Sequence, residues 1–215
     1  MYVVVHGGAG GPPDEPADRL STLADAADTA ADAEGPLDAV LAAVRPLERD
    51  PRFNAGVGGA VQSDGVVRTE AGLVTDDGTT GAACSMAGVA HAADVARVVA
   101  TDGDRLAAAT STAGRWFALA GRVGDVPQIG AGFYADGRGG ASATGEGEAI
   151  ARFGLARRAV DLLETFGPRQ AAEEALAEFE RATDGQAGVV VLDHAGHVGS
   201  EYNTAAMQTS RAGPD

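Results

Sequence analysis

Three groups of residues in this 215-residue chain carry side chains suited to chemistry. Thr110-Ser111-Thr112 is a run of hydroxyls, Arg122 and Asp125 stand three apart in "GRVGD", and Thr144-Gly145 lies in "SATGEGE" at 142–148. A hydroxyl becomes a nucleophile when a base is at hand. Arginine can hold a carboxylate through two parallel hydrogen bonds, and an aspartate can hold an ammonium. Together, Arg122 and Asp125 suit an α-amino acid, which carries both charges. Thr144 and Gly145, just ahead of a helical pattern, would present donors to a developing oxyanion. The same pieces also read as a strand end, a turn and a helix N-terminus with Glu in its first turn. The residues alone leave both readings open.

Other candidate motifs are weaker. The Gly-rich stretch at 6–11 follows an apolar run, but its spacing fits neither the dinucleotide fingerprint nor the phosphate-loop pattern. The "PPDEP" beyond it sets carboxylates where phosphate would sit, so a tight turn allowing close packing is expected. His194 and His197 have two-residue spacing without a nearby third ligand, and exposed turn residues are expected there rather than zinc. Cys84 is the only cysteine, which excludes an internal disulfide; its apolar surroundings suggest a buried thiol.

Composition narrows the class. Sixteen basic residues, all arginine, stand against thirty-one acidic ones, for a formal charge of −15. The 45% hydrophobic content and periodic segments argue for a folded domain with a carboxylate-rich surface, as in proteins adapted to high salt. Such a charge argues against nucleic acid and anionic membranes as partners. The start of the chain has no basic region and only a short apolar run, and no window approaches the ~18 apolar residues of a membrane span, so a soluble cytoplasmic protein is expected.

The elements that must position these residues alternate between helix and strand. Short strands are expected at 2–5, 66–74, 81–89, 106–112, 139–144, 187–192 and 197–202. Helices are expected at 17–34, at 36–47 with Pro46 near its end, at 146–166 as one long piece with two apolar stripes, and at 168–183. Val95, Val98 and Val99 give 92–100 a helical look. The pattern suggests one layered α+β domain.

The motifs then take on a collective meaning. "HGGAG" at 6–10, "LERDPRFNAGVGGAV" at 47–61, "LAAATSTAG" at 106–114, "GRVGDVPQIGAGFYA" at 121–135, "SATGEGE" and "YNTAAM" at 202–207 follow one another across nearly the whole chain. In this order they resemble the plant-type asparaginase / isoaspartyl peptidase family of N-terminal-nucleophile hydrolases. The resemblance implies a four-layer αββα sandwich, with 1–100 matching the family's α-subunit side and 101–215 its β-subunit side. It implies hydrolysis of L-asparagine or β-aspartyl dipeptides to aspartate by a self-cleaved enzyme, whose new N-terminal Thr is nucleophile and base. By the same resemblance Thr112 supports the nucleophile, Asn54 positions its region, Arg122 and Asp125 clamp the substrate, and Thr144 and Gly145 form the oxyanion hole. The loop at 47–57 resembles a sodium loop, in which Leu47, Glu48, Asp50, Phe53, Ala55 and Val57 would offer mainly backbone carbonyls. No organic cofactor is implied, and a homodimer is.

One departure matters. In the family a long linker and then the Thr-Val-Gly strand follow the helix that matches 92–100, and here both are missing. Counting back from Leu106, the nucleophile's place falls at Asp94 or Val95, neither of which is Thr. Thr101 lies about six residues, hence about 20 Å of strand, from that place. The stretch 94–100 cannot be both the helix and the missing strand. The β-branched residues and the "TDGD" turn favour a strand from about residue 95. Two functional readings follow, an impaired amidohydrolase and an inactive relic or aspartate/asparagine-binding protein, with an in-frame deletion of no selected function as a third.

Overall fold

The computed structural model describes residues 1–92, 98–101 and 105–214. Its strands form two antiparallel sheets. The first has the order β10-β1-β4-β5-β2-β3, from Ala206–Ala212, Tyr2–Gly10, Val98–Thr101, Leu106–Thr112, Arg68–Thr75 and Thr80–Ala87. The second has the order β6-β7-β8-β9, from Phe133–Asp136, Gly139–Gly145, Ala187–Asp193 and Val198–Tyr202. The helices are α1 (Pro16–Ala31), α2 (Pro36–Arg49), α3 (Gly147–Phe153), α4 (Leu155–Asp161) and α5 (Pro168–Ala182). Pro opens α1, α2 and α5, where its missing N–H costs nothing. No described helix is long and apolar enough to cross a membrane.

Strand alternation sorts the core. Val3 and Val5 of β1 and Ala107 and Ala109 of β5 pack with Leu23, Val40 and Val44 from α1 and α2. Val4 of β1 and Leu106 and Ala108 of β5 instead join Phe133, Ala135, Val190 and Leu192 from the other sheet. On β8, Val189 and Val191 turn towards Ile150, Leu155, Val160, Leu176 and Phe179 of the later helices. Successive side chains point to opposite faces, so a strand covered on both sides must be apolar or small throughout. Every residue of β5 is buried, which explains its run of alanines and short hydroxyls.

Several expectations change. The first strand does not close at residue 5. It runs to Gly10 with an irregularity between His6 and Ala9, so the Gly-rich stretch is an irregular strand rather than a tight turn. α2 continues through Pro46 to Arg49; the proline sits in the last turn, and the Asp50 N–H still reaches its carbonyl at 3.1 Å. The helix expected at 146–166 breaks at Gly154, whose φ of 76° is left-handed and ends α3. β6 and β10 were not expected as strands. Cys84 is exposed rather than buried, because β3 is an edge strand with most of its residues facing out. Over 98–101 the favoured strand, rather than the helical look of 92–100, is what forms between β1 and β5, with Val99 opposite Val4 on one side and Ala108 on the other. The remainder of the expected strand and the Asp94 and Val95 positions lie outside the described residues.

Candidate functional site

The ends of β1, β5 and β7 meet the loops at 50–60 and 114–132 around a pocket of about 230 Å³. Asn54, Thr112, Arg122, Asp125, Thr144 and Gly145 all line it. The Gly-rich end of β1, from Gly7 to Gly11, forms one wall.

β5 aims its hydroxyls by alternation. Thr110 and Thr112 face one way and Ser111 the other. Thr110 shares a 2.8 Å hydrogen bond with Ser142 of β7, and Ser142 shares one of 2.9 Å with Nε2 of His6 on β1. All three are buried, so this polar chain ties one sheet to the other. Ser111 points to the helical side and donates to Oε1 of Glu48 at 2.8 Å. Burial pushes the Glu48 carboxyl up, against the pull of Ser111 and His91.

Asn54 staples the loop to the end of β5. Its amide donates to the Gly114 carbonyl at 2.6 Å, its side-chain oxygen accepts from the Ala60 N–H at 3.0 Å, and its own carbonyl accepts from the Ala113 N–H at 3.2 Å. Thr112 Oγ1 donates to the same carbonyl at 3.4 Å and accepts from the Gly114 N–H at 3.1 Å. Thr144 Oγ1 accepts from the Ala9 N–H at 3.4 Å, joining β7 to the wall of β1. Thr144 and Gly145 are the last two residues of β7, one residue ahead of the cap of α3.

The Arg122 guanidinium lies in a slot walled by glycine. A β-carbon on Gly114 or Gly124 would stand 2.8 Å from its Nη1, and one on Gly147 would stand 2.8 Å from Nη2 and 2.6 Å from Asp125 Oδ1. Arg122 and Asp125 therefore approach the same point. Arg122 Nε donates to Glu148 Oε1 at 2.8 Å; this bond holds the Glu148 carboxyl below the usual range. Behind the slot, both oxygens of buried Glu70 on β2 accept from the Gly124 N–H at 3.0 Å. Burial pushes Glu70 up, while this bond and Arg122 pull the other way. Sequence reasoning missed the contacts of Glu70, Glu148 and His6, and the 4.0 Å ion pair of Arg115 with Glu148. Their neighbours are 26 to 136 residues away, a separation that no local motif carries.

Leu47 and Glu48 close α2, and Asp50, Phe53, Ala55 and Val57 follow in the adjoining loop and a short 3-10 turn. The loop is tightly wound: Phe53 N–H bonds the Asp50 carbonyl, Ala55 N–H that of Phe53, and Gly58 N–H that of Ala55. A β-carbon on Gly56 would stand 2.3 Å from the carbonyl oxygens of both Glu48 and Ala90, so backbone oxygens crowd this turn. The carbonyls of Asp50, Phe53 and Ala55 thus each accept a hydrogen bond within the loop. The Asp50 side chain is otherwise engaged, because hydrogen bonds from Arg52 hold its carboxyl down at about 2. No group of three or more His, Cys, Asp or Glu that could hold a metal occurs among the described residues. His197 shares a 2.9 Å hydrogen bond with Asp193.

An arginine and an aspartate from one loop, a threonine at the end of β5 and the Thr144-Gly145 end of β7 in the second sheet thus share one pocket. The family model described as Asparaginase matches residues 1–105 and again 97–214. This chain belongs to the plant-type asparaginase / isoaspartyl peptidase family of N-terminal-nucleophile hydrolases. It is 34% identical to a plant-type L-asparaginase of Pyrobaculum calidifontis over 246 aligned positions, covering 80% of this chain and 82% of that protein. It is 31% identical to an isoaspartyl peptidase/L-asparaginase of Danio rerio over 284 positions, covering 98% and 91%. A plant-type L-asparaginase of Pyrococcus abyssi is 42% identical over 111 positions, 51% of this chain and 36% of that protein. An alignment of 284 positions on 215 residues leaves at least 69 without a counterpart here. The two family matches overlap at 97–105, the stretch that carries β4.

Proposed function

We propose that this protein retains the aspartyl-recognition pocket of its family and lacks the hydrolytic step. The observation that carries this is the convergence of Asn54, Thr112, Arg122, Asp125, Thr144 and Gly145 on one pocket, while positions 94 and 95 hold Asp and Val. Arg122 takes the α-carboxylate of asparagine or of a β-aspartyl peptide, and Asp125 its ammonium. Thr144 and Gly145 face the scissile carbonyl, and Thr112 and Asn54 hold the frame in which a nucleophile would stand. Asp94 and Val95 carry no hydroxyl, so the residue whose hydroxyl and released amine would attack the amide has no equivalent at that place in the sequence. The ligand is bound and not turned over.

The same reading treats the chain as one unit with αββα layering, in which 1–100 and 101–215 stand for the family's two subunits. The core clusters on either side of each sheet support that layering. The carbonyls of Leu47, Glu48, Asp50, Phe53, Ala55 and Val57 would hold a sodium ion of purely structural role. The protein would pair as a homodimer.

The test uses the full chain in molar salt. A denaturing gel should show one uncut band near 21.4 kDa, and ammonia release from L-asparagine should stay at background. L-Aspartate should raise the melting temperature. Two fragments, one beginning with threonine, together with asparagine turnover would overturn the proposal.

A further inference from the structure

Four arginines line the pocket: Arg19, Arg52, Arg115 and Arg122. Three are closely engaged. Arg19 donates to the Gly7 carbonyl at 3.0 Å, to Gln208 at 3.1 Å and to the Arg52 carbonyl. Arg52 grips Asp50 at 2.6 Å, and Arg122 grips Glu148 at 2.8 Å. Arg115 is held only loosely: its ion-pair partner is Glu148 at 4.0 Å, beyond hydrogen-bond reach, and its side chain is 61% exposed. Among the lining residues the one carboxylate is Asp125. A chain of net charge −15 thus lines this pocket with four arginines and one carboxylate.

Charge counting then separates ligands. One carboxylate and one ammonium, as in asparagine, satisfy Arg122 and Asp125 and bring no net charge. A second carboxylate would bring the counter-charge that Arg115 lacks at close range, and a guanidinium-carboxylate hydrogen bond is among the stronger polar contacts. Resting on the reading above, we propose that Arg115 is a specificity-determining residue. It favours ligands with two carboxylates and one ammonium, namely L-aspartate or a β-aspartyl dipeptide, over L-asparagine.

Calorimetric titration of the full chain with L-asparagine, L-aspartate and β-aspartylglycine tests this. It is run on the natural protein, Arg115→Gln and Arg115→Lys, with each variant's melting temperature as a fold control. Arg115→Gln should leave the asparagine Kd within about twofold and weaken at least one dicarboxylate roughly tenfold, with Arg115→Lys in between. Which dicarboxylate weakens tells whether the second carboxylate sits at the β-carbon or one residue further out. No loss, or an equal loss for asparagine and both dicarboxylates, overturns the role of Arg115. If the folded natural protein binds none of the three, the recognition reading itself fails, and that result is distinct from the first.

Discussion

At the scale of single residues, the pocket is held from behind by a carboxylate in an unfavourable place. Glu70 is buried beneath the Arg122 loop, and its burial raises its pKa above the usual 4.5. A carboxyl raised in the folded state favours folding most when protonated, and that advantage is lost as pH rises through the raised value. Glu70→Gln keeps an oxygen for the Gly124 N–H and removes the charge. It should melt a few degrees higher than the natural protein at pH 8, and the gap should close by about pH 4. Melting curves across that range check it, and a variant less stable at pH 8 would show that the charge contributes net stability. That Arg122, Asp125, Thr144 and Gly145 belong together was legible in the sequence because they sit in short motifs whose chemistry is local, and all four line one pocket. Glu70, Glu148 and Arg115 were not, because their meaning comes from distant partners: the Gly124 N–H for Glu70, Arg122 for Glu148, and Glu148 for Arg115. The three glycines walling the guanidinium were in plain view, yet only the fold shows what they make room for.

At the scale of elements, four residues of β4 bridge β1 and β5 and complete the first sheet. Proline at 99 would remove a donor in a central strand and clash with its neighbours, at a cost of about 3 kcal/mol or more. Val99→Pro should therefore lower the melting temperature by roughly 6–12 °C or abolish soluble expression. Thermal melts of the purified variant decide this, and a shift of less than about 3 °C would contradict the strand. The strong periodic segments were readable: α1, α5, β5 and β8 fall within a few residues of expectation. What failed has physical reasons. Gly154 interrupts a stripe that hydrophobic spacing alone runs straight through. The strand at 98–101, by contrast, was the one that the β-branched residues favoured, and pairing with β1 and β5 holds it. β10 is partly polar and only partly buried, so its strand character comes from its partner β1.

For the whole molecule, a charge of −15 with no lysine sets the response to solvent. Carboxylates repel at low ionic strength, and salt screens them. The melting temperature should rise steadily from 0.1 M to molar potassium chloride, as calorimetry would show; a flat response would argue against surface repulsion as the controlling factor. The mixed α+β class was readable at this scale from the alternating elements, whereas which strand neighbours which was not. That topology has a consequence for how the chain comes into being. β1 lies between β10 and β4, so this strand, made well before either partner, has no neighbour close behind it. Val3 waits about a hundred residues for Ala100 and two hundred for Ala212. Pairings that distant form late and slowly. A chain stalled or trimmed before β10 would leave the pocket's Gly-rich wall with one flank unpaired and ready to adhere to whatever strand came by.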